Sequence, residues 1–128
     1  MKLIPEEVIK LKVKELRELA KDFPIEKATL LNKEELCYKI LVESALVNGE
    51  IYGYGQLEIL PDGYGFLRVS NLEKDIYVSA SQVKKFLLRN GDVVLGEIRT
   101  PTPEEKNYAL KKLLLVNGKE LDVIMNRV

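Results

Sequence analysis

Asp62-Gly63-Tyr64-Gly65-Phe66-Leu67-Arg68, followed closely by Asp75-Ile76-Tyr77-Val78, is the stretch on which the fold turns. Residues two apart on a strand share a face, so Tyr64, Phe66 and Arg68 project together from one side of a sheet. Tyr77 and Asp75 stand on the next strand, and Pro61-Asp62-Gly63 supplies turn chemistry before the first. Gly63 and Gly65 remove side chains between the rings, which lets a flat ligand approach the backbone. Single-stranded nucleic acid is such a ligand, because its bases stack on aromatic rings.

Outward from this hairpin the alternation continues. Tyr54 to Leu60 reads as the strand before the turn, Tyr64 to Val69 as the strand after it, and Ile76 to Val78 as a short third. Ser79 or Ser81 caps a helical turn that runs to Phe86, and Asn90-Gly91-Asp92 leads into a fourth strand, Val93 to Arg99. Thr100 to Lys106 is a loop by composition, and Tyr108 to Val116 makes a fifth strand. Five short strands with a small helical insertion suit an OB-like barrel.

Before residue 50 the period is helical. Apolar residues recur three and four apart through Val8, Leu11, Val13, Leu16, Leu19, Ala20 and Phe23, and Phe23-Pro24 stops the pattern. Asn32 with Glu35 three positions on forms a capping arrangement for a third helix, which Asn48-Gly49 ends. The expected class is therefore α+β: residues 1–49 a small three-helix subdomain, 50–120 the five-stranded barrel, and 121–128 the start of a linker. Each half is near the size at which a core alone confers little stability, so the helices are expected to pack on the barrel.

Composition narrows the chemistry. The chain has 128 residues, with 20 basic and 20 acidic side chains, and its pI is about 6.4. Nonspecific coating of duplex DNA needs a basic excess that is missing here, so any nucleic-acid site must be short and rely on stacking and hydrogen bonds. Cys37 is the only cysteine and there is no histidine. That excludes an internal disulfide, a structural zinc site and a histidine-based catalytic arrangement, and no metal or other cofactor is expected. Cys37 sits in a helical apolar pattern and is expected to be a buried hydrophobe. No apolar run is long enough to span a bilayer, and acid near the N-terminus does not suit a signal peptide, so a soluble cytoplasmic protein is expected.

Gly63-Tyr64-Gly65-Phe66-Leu67-Arg68, Asp75-Ile76-Tyr77-Val78-Ser79, Leu88-Arg89-Asn90-Gly91-Asp92 and Ile98-Arg99-Thr100-Pro101 occur in this order, which resembles the bacterial transcription termination factor Rho family across essentially all of the chain. The resemblance implies a helical N-terminal part followed by a cold-shock-like OB barrel, which in that family is the RNA-binding region. It implies binding of single-stranded cytosine-rich RNA, and of short single-stranded DNA. It also implies that the full-length protein is a homohexameric, ATP-driven RNA translocase working with transcribing RNA polymerase. The present chain has no P-loop: around Gly118-Lys119, Leu113 and Glu120 stand where glycine and Ser or Thr are required. It is expected to bind without catalysing, and to be monomeric by itself.

The resemblance also assigns roles. Leu60, Tyr64 and Phe66 correspond to the enclosure of a base, and Tyr77 to a further platform. Arg68 and Asp75 are the candidates for the edge of cytosine, whose N3 and O2 accept while N4 donates. Uracil would set O4 against Asp75, acceptor to acceptor, at a cost of about 1 to 3 kcal/mol. Glu105 and Lys106 match polar loop residues that meet the second base or the backbone, with Lys106 where the family has arginine. Asn107 departs further, standing where the family has an aromatic, and Tyr108 beside it would reach the same face only by a one-residue slip. Lys84, Lys85 and Arg89 are candidate phosphate guides on charge alone.

Other readings stand beside these. Arg68 and Asp75 can be a cross-strand ion pair, and Lys84 and Lys85 a solvated helical face. A different class of function is a protein-interaction OB module of the transcription machinery with weak or no RNA binding. A small nuclease is the third, though clustered acids for metal-assisted cleavage are not evident.

Overall fold

The computed structural model describes residues 2–127. Met1 and Val128, the outer ends of the stretches expected at 1–49 and 121–128, lie outside the described residues. Two compact units divide the chain between Tyr52 and Gly53.

The first unit is helical: α1 (Pro5–Val8), α2 (Val13–Ala20), a 3-10 turn (Ala28–Leu30) and α3 (Lys33–Val47). Pro5 occupies the first turn of α1, where its missing N–H costs nothing. α2 ends at Ala20, ahead of Pro24, because the N–H groups of Lys21, Asp22 and Phe23 turn back to carbonyls three residues earlier. α3 starts as its sequence predicts. Asn32 Oδ1 accepts from Glu35 N at 2.9 Å and Glu35 Oε1 accepts from Asn32 N at 3.4 Å. At its other end Gly49 takes φ +76°, which closes the helix without a side-chain clash. Both shorter helices pack on α3, and Val8, Leu16, Ala20, Leu36, Cys37, Ile40, Leu41 and Ala45 are buried. Burial pushes the Cys37 thiol up to about 11, so it stays protonated and inert. Leu46 and Val47, at the C-terminal end of α3, are exposed.

The second unit is a closed barrel of β1 (Tyr52–Ile59), β2 (Gly65–Arg68), β3 (Ile76–Val78), β4 (Val93–Arg99) and β5 (Tyr108–Val116), ordered β1-β2-β3-β5-β4. The β3–β5 pairing is parallel, whereas β1–β2, β2–β3 and β4–β5 are antiparallel. This is the expected OB arrangement. A small helix, α4 (Ala80–Lys85), lies between β3 and β4; Ser79, not Ser81, caps it, accepting from Gln82 N. Leu57, Leu67, Ile76, Val78, Val94, Leu95, Leu110 and Leu115 are buried, each contributing about 1.5 to 3 kcal/mol. In the β4–β5 ladder the register shifts twice, leaving Lys111 and Leu114 without partners, and such bulges bend the strands around the barrel. β2 stops one residue earlier than expected because Val69 adopts φ +50° and turns into solvent. A last helix, α5 (Leu121–Met125), packs on β5.

Gly65 has a different reason from the one its sequence suggests. It faces the barrel interior, and a Cβ there would lie 2.5 Å from the carbonyl oxygen of Glu58 and 3.0 Å from Leu57 Cδ1. The residue lets β1 and β2 approach each other; it does not open the outer face to a ligand. Gly63, at φ +96°, serves the turn.

Candidate nucleic-acid interface

The turn at Pro61-Asp62-Gly63 sets everything that follows. Leu60 N donates to Tyr64 O and Gly63 N to Leu60 O, both at 2.8 Å, which pins the hairpin register. Glu58 then opposes Phe66, Gln56 opposes Arg68, and Phe66 opposes Tyr77. Alternation turns Leu67, Ile76 and Val78 inward, so Glu58, Phe66, Arg68 and Tyr77 share the outer face.

On that face three rings form a nearly equilateral cluster. The Tyr64–Phe66 centroids are 6.0 Å apart, and Tyr64–Tyr77 and Phe66–Tyr77 are each 5.9 Å apart. The pairs meet edge-on or tilted, an attractive geometry that holds each ring in place. Tyr77 is exposed, whereas Tyr64, Phe66 and Leu60 are half-buried. The rings are anchored in the sheet and still present area to a ligand.

Arg68 borders the cluster with its guanidinium 4.8 Å from the Phe66 ring centroid. Its Nη1 donates to Asp75 Oδ2 at 2.6 Å and its Nε to Glu58 Oε1 at 2.7 Å. These two carboxylates, Asp75 foremost, raise the guanidinium above its ordinary pKa. Arg68 and Asp75 are thus an ion pair, yet both retain capacity. Among the described residues Nη2 of Arg68 and Oδ1 of Asp75 make no bond. A base edge that accepts and donates side by side can meet both. Sequence reasoning missed Glu58, although the turn had already fixed its place opposite Phe66.

The remaining candidates divide. Asn107 comes to the site: its Nδ2 donates to the backbone oxygen of Asp75 at 3.1 Å. Tyr108 does not, because it pairs with inward-facing Ile76, while small Ala109 pairs with Tyr77. Glu105 is occupied, accepting from Nη1 and Nη2 of Arg99 at the end of β4 at 2.7 and 2.9 Å and from Thr102 N in its own loop at 3.0 Å. The Arg99 bonds and that N–H hold its carboxyl well down, at about 2. Lys106 is exposed in the same loop. Lys84, Lys85 and Arg89 are exposed on or just after α4, and among the described residues no contact joins them to the rings. Lys85 Nζ instead lies 5.3 Å from the Phe86 ring centroid.

Among the described residues no cluster of acids, cysteine or histidine could hold a metal ion, and no helix is long and apolar enough to cross a membrane. A family model described as the Rho termination factor RNA-binding domain matches residues 53–122, which is the barrel unit up to the start of α5. The transcription termination factor Rho of Streptobacillus moniliformis is 46% identical over 112 residues, covering 88% of this chain and 27% of that protein. That of Thermotoga maritima is 38% identical over 127 residues, 95% of this chain and 30% of the relative. That of Escherichia coli is 37% identical over 121 residues, 91% and 29% respectively. The chain spans less than a third of the length of these curated relatives.

Proposed function

From the premise that this chain belongs to the Rho termination factor family, we propose that its barrel holds single-stranded RNA and prefers cytosine. The carrying observation is the ring triangle of Tyr64, Phe66 and Tyr77 bordered by an arginine and a carboxylate with free hydrogen-bonding atoms. A base stacked on the rings gains about 1 to 3 kcal/mol, so a neutral chain can bind RNA without neutralising many phosphates. Leu60 closes the enclosure beside Tyr64. Arg68 Nη2 donates to O2 or N3 of the base while Asp75 Oδ1 accepts from N4. Asn107 orients the Asp75 backbone in place of a second stacking ring, Lys106, Lys84, Lys85 and Arg89 are left with the flanking phosphates, and Glu105 braces Arg99 in the loop that carries Lys106.

In the full-length protein this binding would hold the transcript for ATP-driven termination by a homohexamer in the bacterial cytoplasm, in association with RNA polymerase; the isolated chain would be a monomer. Support for that wider role is the family membership. Its binding component is testable on the chain itself. Titration with short oligo-C, oligo-U and oligo-A should show binding of oligo-C well above the others, with Phe66→Ala removing most of it. Equal affinity for all three, or indifference to Phe66→Ala, would overturn the reading in favour of a protein-docking barrel.

A further inference from the structure

We propose that Glu58 is a positioning residue for base discrimination: it locks the Arg68 guanidinium in the plane that sets Nη2 beside Asp75 Oδ1. This rests on the reading of the ring face as a base platform. An exposed arginine held by one ion pair samples several rotamers and presents no fixed pattern of donors. Arg68 is held three ways. Glu58 on β1 takes Nε at 2.7 Å, Asp75 ahead of β3 takes Nη1 at 2.6 Å, and the Phe66 ring lies 4.8 Å away from the guanidinium carbon. Two anchors flanking β2, one on β1 and one just ahead of β3, fix the fork in one orientation, and the nitrogen left over is Nη2.

Charge supports a positioning role over an attractive one. Glu58, Asp75 and Arg68 together carry a net negative charge on the face where phosphates must approach. A surplus carboxylate there weakens attraction for RNA whatever its sequence. Asp75 has a base atom to recognise; Glu58, which pairs across from Phe66 and spends its Oε1 on Arg68 Nε, has none. Orienting the arginine is what it offers in return.

The two effects of Glu58 have opposite signs, which makes the test sharp. Glu58→Ala should lower oligo-C affinity about three- to ten-fold, the scale of one misplaced hydrogen bond. It should leave oligo-U affinity unchanged or slightly raised. Glu58→Gln should fall between, because its amide oxygen still accepts from Nε. The Arg68 Nε–H resonance in NMR should move in both variants, with the urea midpoint near that of the parent chain. If affinity for oligo-C and oligo-U changes by the same factor in both variants, or the Arg68 resonance stays in place, the proposal is overturned. Phe66→Ala run in parallel separates the two levels. Its failure to weaken oligo-C binding sinks the platform reading, whereas loss of binding there with an unchanged C-to-U ratio in the Glu58 variants sinks only the positioning role.

Discussion

Two arginine–aspartate pairs in the barrel unit have the same 2.6 Å contact and opposite characters. Asp92 is buried and its carboxylate is fully used. Oδ1 accepts from Arg127 Nη1 and Asn117 Nδ2, and Oδ2 from Arg127 Nη2 and the backbone N–H of Arg89. Arg127 also donates to Leu87 O, so the pair ties the segment after α5 to both sides of the α4–β4 connection. Asp75 is one-third exposed and, among the described residues, accepts a single bond on its carboxylate. A carboxylate used in full and shut off from solvent can only hold structure together. A half-satisfied, wet one beside aromatic rings is free to take a ligand.

Substitutions can break this contrast. The largest effect is expected from Asp92→Ala, which strands Arg127 and should cost about 3 kcal/mol in urea unfolding while leaving the C-to-U ratio unchanged. A shifted ratio would blur the division between the two pairs. On the other side, Tyr77→Ala should weaken oligo-C about ten-fold by removing one ring of the platform, at little cost in stability. Asp75→Asn sharpens the comparison further: its amide can donate to uracil O4, so the C-to-U preference should fall about ten-fold in direct titration.

Acid provides a subtler separation. Burial alone would raise Asp92, but the Arg127 bond, the Arg89 N–H and Asn117 outweigh it, and its pKa lies below the ordinary 3.8. A depressed folded-state pKa means that this stabilisation is complete above about 3.8 and is lost as pH falls through the lower, folded value. Urea midpoints followed down to that range should drop in the parent chain and respond less in Asp92→Asn. The smallest effect belongs to Arg99→Gln. Its partner Glu105 is solvent-exposed, so the melting temperature should hardly move despite the two short bonds.

What could be read without coordinates was mostly local. Asn32 and Glu35 announced the start of α3, and Pro61-Asp62-Gly63 set the hairpin whose alternation brought Tyr64, Phe66 and Arg68 to one face. Glu58 was legible in principle, since that turn fixes its partner, but an acid on a polar strand face carries no mark of its own until the register is followed through. The Asp92–Arg127 bond was not legible: its residues are 35 apart and meet only once the strands close and α5 docks. Nor was the Arg99–Glu105 pairing, because a loop's polar residues give no pattern of period 2 or 3.6. Asn107 lies between these cases. Its departure from the family aromatic was visible, and its bond to the Asp75 backbone was not.

The inward-facing Gly65 has a consequence for genetics. Any side chain at that position must force β1 away from β2 at the carbonyl of Glu58, displacing Phe66 and the carboxylate that holds Arg68 in one stroke. A screen for alleles that lose oligo-C binding would recover substitutions there alongside those of the rings. The two kinds would look alike by phenotype and differ in cause, and soluble yield or protease resistance would tell them apart.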